Sequence, residues 1–426
     1  MSTTLTNSEI ELSKQMGDYW ASNATATASN VTLVDTALKA KLGDWITDET
    51  YLQMATLNAA ANTEESRISA LNVTSGTLTF LALTGNTVNA DGYRVHRLFS
   101  ASEKRRALIN ACKMTFPYLH EVIRDESKTA GDWLIDGGAE IWSSSSALNY
   151  WTTNAVTLAQ VSTNGIVTRG KYCANMTTAI GDIYQGLTNN PDLQELAGKH
   201  VTFKGKLKCS VANCAFLQIT DGTTTTNSAY AASAYPADND FIEISATINS
   251  TPSEVTFKVV KTNATASLSW DDLRVIGPVR DKIYIGDLGL EQHTPMEITY
   301  SSDSNIYREP WLPLRNWDTD AQGWLFLKSF PSDYRLRIRG IGCLDFKASG
   351  VVSNAWTATV NINEPQIQIL VANAATYLCG QMTMPTETSG VSDKWKESKK
   401  EWQEELASRI GKFGMKTPDA LTQWYD

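Results

Sequence analysis

No stretch of this 426-residue chain approaches the roughly 18 consecutive apolar residues that a membrane-spanning helix needs. Histidine is scarce. His96, His120, His200 and His293 stand far apart, with no partner at metal-ligand or hydrolase spacing, and are expected to be structural or surface groups. The six cysteines (Cys112, Cys173, Cys209, Cys214, Cys343, Cys379) form no CxxC pair. Reduced, mostly buried thiols made in a cytoplasm are therefore expected, with Cys209 and Cys214 alone close enough to raise the question of a bond. No GxSxG, HExxH, phosphate-binding loop or dinucleotide fingerprint occurs, so no catalytic residue is assigned and a non-enzymatic protein is expected. The N-terminus lacks a basic segment followed by an apolar core, which predicts no signal peptide. Positive charge is also short: 37 Lys and Arg against 46 Asp and Glu give a net charge of −9. That excludes nonspecific gripping of nucleic acid, although an acidic lumen would let DNA slide past.

What the chain does contain is a polar, weakly charged β-forming sequence. Hydrophobic residues make up 42% and charged residues 19%, a globular composition with room for two or three domains. A capped helix is predicted from Ser8, with Ile10 or Leu12, Met16 and Trp20 at helical spacing, and a second short one from Val34 to Leu42, stopped by Gly43. Short strands follow, then an amphipathic helix from Ser102 that Pro117 should break. Between 132 and 278 the pattern turns to alternating Thr, Val and Ile. Eight strands are predicted there, at 156–162, 171–177, 182–187, 200–208, 214–219, 241–248, 254–260 and 267–275, the number a two-sheet jelly roll requires. The segment from Thr223 to Ser228 is taken as a loop. Short strands resume after 278, Pro365 opens another helix, and a Trp-rich helix runs from Asp393 to Phe413.

Two resemblances attach to these elements. Asp136-Gly137-Gly138-Ala139-Glu140 with Trp142 and Trp151, then Gly170-Lys171-Tyr172-Cys173-Ala174, Ile183-Tyr184-Gln185 and Trp270-Asp271-Asp272-Leu273 resemble the carbohydrate-binding jelly rolls of bacterial glycan-degrading enzymes. Ala139 departs from the Phe of that pattern. The outer segments resemble an adaptor protein at the head-to-tail interface of tailed bacteriophages. The matching stretches are Thr32 to Leu38, Arg67-Ile68-Ser69, Ser75 to Thr79, Asp91 to Phe99, and Tyr334 to Gly340. The resemblances together imply an α+β adaptor body, of helices plus a small antiparallel sheet, carrying an inserted all-β jelly-roll sandwich. Its divisions would be 1–131, 132–278, 279–390 and 391–426.

The function implied is a virion structural protein made in the host cytoplasm. A homo-oligomeric ring, twelvefold by resemblance, would join the portal to tail or neck proteins and pass DNA without gripping it, with no membrane involved. The alternative is a glycan-binding, lectin-like tail-fibre or baseplate protein. Under the first reading Trp395, Trp402, Leu406, Gln423, Trp424, Tyr425 and Asp426 would contact the portal. Arg335, Arg337 and Arg339 alternate with Leu336 and Ile338, putting three cations on one strand face that meets a neighbouring subunit or the lumen. On the sandwich, Trp142, Tyr150 and Trp151 form a candidate sugar platform, unless the sandwich meets the capsid instead. Glu140, Asp271 and Asp272 are candidate ligands for a structural calcium, and no other cofactor is expected.

Overall fold

The computed structural model describes residues 2–416 except 43–44, 47–49, 56–62, 164–166, 168–169, 178, 232–240, 302–310, 329, 349 and 384–388. The described residues divide into two compact units: one of those up to Glu121 together with those from Cys343 to 416, the other Val122–Gly342. Among the described residues there are 29 strands and four α-helices. This overturns the expected α+β body with a small sheet. The chain is mainly β, because the Thr- and Val-rich flanks form sheets of their own.

In the first unit a six-stranded antiparallel sheet runs in the order Trp20–Asn23, Gly92–His96, Tyr51–Met54, Glu65–Asn72, Thr77–Phe80, Thr32–Val34. The second predicted helix, Val34 to Leu42, is a short 3-10 helix over Thr36–Ala40, and Val34 instead ends the edge strand Thr32–Val34 of this sheet. Helix Leu5–Gln15 starts earlier than expected. Thr4 caps it, and Ser8 faces inward. Helix Ala101–Met114 begins with a reciprocal capping box: the Ser100 hydroxyl accepts from the Glu103 amide (3.1 Å) and Glu103 accepts from the Ser100 amide (2.8 Å). It stops before Pro117, as a residue without an amide donor requires. Helix Ile367–Gln381 is almost wholly buried, and helix Ser389–Phe413 turns its apolar stripe onto the same core.

The second unit holds the sandwich. One sheet is ordered Thr152–Asn154, Gly181–Gly186, Thr256–Lys261, Ala215–Thr220, Thr225–Asn227; the other is Leu158–Val161, Cys173–Met176, Leu268–Ile276, His200–Cys209, Ile242–Thr247. All eight expected strands are present. Thr152–Asn154 and Thr225–Asn227 are the edges that sequence reading missed. A continuous core fills the space between the sheets, from Trp133 and Leu158 through Phe203, Leu217 and Phe257 to Trp270 and Val275. Cys209 and Cys214 are disulfide-bonded rather than free. They close the short loop that carries the chain from one sheet to the other.

The sandwich does not hang from a loop. Strands Lys282–Tyr284, Trp324–Leu327 and Trp317–Thr319, and a second sheet built on Arg335–Gly342, belong to the same unit, with their own core of Ile285, Ile298, Leu325, Leu336 and Ile338.

First and last parts of the sandwich meet along the Asp-Gly-Gly segment. The Trp133 amide donates to the Val275 carbonyl and the Leu273 amide to the Gly137 carbonyl, both at 2.9 Å. A Cβ on Gly137 would collide with the Leu273 carbonyl oxygen, so only glycine allows this approach. Gly137→Ala is therefore expected to lower stability by about 1–3 kcal/mol, the usual cost of overpacking. Thermal unfolding of the full chain checks this, and an unchanged midpoint would contradict the steric account.

Candidate functional site

The register of the first sheet assembles a solvent-facing surface from distant parts of the chain. Thr152 lies opposite Tyr184, Tyr184 opposite Lys258, Lys258 opposite Gln218, and Gln218 opposite Asn227. Ile183, Phe257, Val259, Leu217 and Ile219 point into the core, so strand alternation turns this five-residue row outward. A second row sets Asn154 against Asp182, Asp182 against Val260, and Val260 against Phe216. Tyr230, 53% exposed, meets Phe216 edge-on with ring centroids 5.3 Å apart.

Amides and hydroxyls interleave with aromatic rings on this face. The Gln218 amide donates to Asn227 Oδ1 (2.9 Å), and the Asn154 amide donates to Asp182 Oδ2 (3.2 Å). Asp182 Oδ1 is itself buried and has no hydrogen-bond partner among the described residues. Five strands span about 19 Å across the sheet, the length of a short oligosaccharide. Such a surface stacks on apolar ring faces and hydrogen-bonds hydroxyls around them.

The opposite sheet offers a different outer surface. There Lys204, Lys206 and Arg274 gather around the Phe241 ring, and acidic groups take up their charge. Arg274 holds Asp272 through Nε (2.8 Å) and Nη2 (2.7 Å) and reaches Asp333 at 3.0 Å, while Lys204 reaches the same carboxylate at 2.6 Å.

The residues singled out from sequence lie elsewhere. Trp142 and Trp151 are interior, and each indole N–H donates to the opening segment: Trp142 to the Ala139 carbonyl (2.6 Å), Trp151 to the Asp136 carbonyl (3.0 Å). Tyr150 packs edge-on against Tyr284. These three aromatics therefore frame the sandwich and offer no open sugar platform.

The calcium ligands are likewise engaged. Glu140 Oε1 accepts the amides of Lys171 (2.7 Å) and Tyr172 (3.0 Å), Asp271 accepts the Asp272 amide (2.6 Å), and Asp272 is committed to Arg274. Among the described residues no group of three or more His, Cys, Asp or Glu is gathered to hold a metal. The donor set does not fit calcium, since the guanidinium already neutralises the carboxylate that would have to bind it.

Arg335 and Arg337 converge on Glu126 (3.1 and 2.8 Å), Arg337 also covers the Trp311 ring, and Arg339 pairs with Glu297 (2.7 Å). The three cations find acids inside their own unit. Trp395, Trp402 and Leu406 face the first unit's core, with Trp395 edge-on to Phe99 and Arg409 over Trp402. Gln423, Trp424, Tyr425 and Asp426 lie outside the described residues. His96 is fully buried; Lys104 donates to its Nδ1 (2.9 Å), to Ser13 and to Asp18. Burial, with the Lys104 and Arg94 cations beside it, holds the His96 pKa well below its ordinary value, so the ring is a neutral structural group.

Beneath the sandwich lies a cluster of buried charge. Lys128 donates to Asp287 (2.8 Å), with Asp125 and Asp136 close by. Asp132 accepts the amides of Leu134 (3.0 Å) and Val275 (2.9 Å) through one oxygen. Arg280 pairs with Asp192 (2.6 Å) and lies over the rings of Trp133 and Trp324. Burial pushes the carboxyls of Asp132 up to about 6, Asp136 to about 7 and Glu140 to about 9.

No protein-family model and no curated protein sequence matches the chain. Solved structures do. A xylan-binding family 22 module from Paenibacillus barcinonensis is 14% identical, covering 38% of this chain and 96% of that one, with a TM-score of 0.24. A family 61 carbohydrate-binding module solved with β-1,4-galactotriose is 15% identical, covering 34% and 97%, TM-score 0.24. The enzymatically active domain of tailspike protein 4 from bacteriophage CBA120 is 9% identical, covering 34% and 21%, TM-score 0.24. Likeness this remote transfers no ligand, and the site stands on its own geometry.

Asp136 gives a pH signature. In the unfolded chain it titrates near 3.9; folded, it holds its proton up to about 7. Its contribution to stability is thus fully present below about pH 4 and lost as pH rises through about 7. Denaturant unfolding between about pH 5 and pH 8 should show stability falling with pH in the wild type, with a flatter profile for Asp136→Asn. Identical slopes would contradict this.

Proposed function

We propose that this protein is a non-catalytic glycan-binding protein, and that its binding surface is the outer face of the sheet ordered Thr152–Asn154, Gly181–Gly186, Thr256–Lys261, Ala215–Thr220, Thr225–Asn227. One observation carries the reading: the cross-strand row Thr152, Tyr184, Lys258, Gln218, Asn227, flanked by Phe216 and Tyr230. A row of polar groups and rings on a rigid sheet suits a chain of sugars. The rings stack, the amides and hydroxyls select, and little ordering entropy is lost because the sheet is preformed.

The stretches outside the sandwich that resemble phage head-to-tail proteins support a virion setting for this binding. Within that setting the lectin-like role is better supported than a portal-joining ring. The chain is mainly β, and the described aromatics once assigned to a portal arm are turned onto their own core.

The reading is tested on the full chain with a glycan array followed by calorimetry on the best ligand. Tyr184→Ala and Gln218→Ala should each weaken that ligand about tenfold, equivalent to roughly 1.4 kcal/mol, with the thermal midpoint unchanged. Binding that survives both substitutions would move the site off this face.

A further inference from the structure

We infer that this face prefers glycans bearing carboxylates over neutral ones, with Lys258 as the selecting residue; the inference rests on the glycan-binding reading above. Lys258 lies on the central strand of the sheet, and its cross-strand neighbours, Tyr184 and Gln218, are uncharged. Thr152 and Asn227, at the two ends of the row, are uncharged as well.

Several basic side chains elsewhere in this unit are matched by acids, Lys128 by Asp287, Lys204 by Asp333, Arg280 and Lys282 by Asp192, Arg339 by Glu297, and Lys261 on the same strand is spent on the Thr177 and Ala179 carbonyls. Among the described residues Lys258 has no acidic partner. Its ammonium lies 5.5 Å from the centroid of the Tyr184 ring. A half-buried cation beside an aromatic platform is a ready partner for a carboxylate on a sugar stacked there, because charge-assisted hydrogen bonds are the stronger kind.

The neighbouring row adds a complementary feature. Asp182, half-buried on that row, repels a second anionic group. Together the rows fit a polymer carrying both acid and hydroxyl groups. They fit poorly with a uniformly anionic one such as nucleic acid, which the net charge of −9 also disfavours.

The test is calorimetry of the full chain against pairs that differ only in charge: oligogalacturonate and its methyl ester, and glucuronate-substituted and unsubstituted xylan oligomers. At least one acidic member should bind about tenfold more tightly than its neutral counterpart, and the preference should shrink with added salt. Lys258→Gln should abolish the preference, bringing the acidic and neutral members of each pair to equal affinity, with the unfolding midpoint unchanged. Equal binding within every pair, or a preference that survives Lys258→Gln, overturns the inference. If neutral binding in such a case still depends on Tyr184, the glycan-binding reading stands. Failure of every pair to bind overturns the inference, and an empty glycan array besides would overturn that reading.

Discussion

The unit Val122–Gly342 depends on closure of the sandwich where its first segment meets its last strand. Backbone pairing at Trp133–Val275 and Gly137–Leu273 supplies the contact, and the bare glycine allows it. Asp132 then fastens both sides at once, taking the Leu134 and Val275 amides on a single oxygen. Asp136 does the same for the turn that follows, accepting the amides of Glu140 and Ile141. Around these lie ion pairs: Arg280 with Asp192 and Arg274 with Asp333 join the sandwich to its flanking segments, Arg274 also holds Asp272 on its own strand, and Lys128 is buried with Asp287 within the flanks. Such pairs add little net stability over apolar packing, but breaking one strands a charge. Their effect here is to specify a single arrangement.

That closure determines what the rest of the sandwich can do. Trp142, Trp151 and Gln185 are all used inward, as indole or amide partners of the opening segment. The second sheet's outer side is occupied by its own charges. What is left over is the outer side of the first sheet, where polar and aromatic groups have few protein partners. The proposed binding face is the surface that folding does not consume.

Much of this was legible in the chain, and the failures have physical causes. The eight sandwich strands follow from period-two alternation, and the edge strand Thr225–Asn227 was lost because a run of Thr, Asn and Ser reads as a turn. The aromatics of the opening segment were assigned to a sugar platform because sequence gives the alternation of a strand without saying which side is covered. The arginines at 335, 337 and 339 looked unpaired because two of them find Glu126 about two hundred positions earlier. The proposed binding row was invisible for the same reason: its members run from Thr152 to Lys258 and are joined only by register. The α+β body failed because the flanks' short strands pair with one another in extended sheets, which strand length alone does not reveal.

If closure binds the sandwich and its flanking strands into one body, they should unfold together. Native-state hydrogen exchange of the full chain measures this directly. The account predicts that the amides of Trp133, Leu273 and Val275, and those of Leu336 and Ile338 in the flanking sheet, exchange with the same opening free energy. Flanking amides that exchange freely while the sandwich stays protected would contradict it.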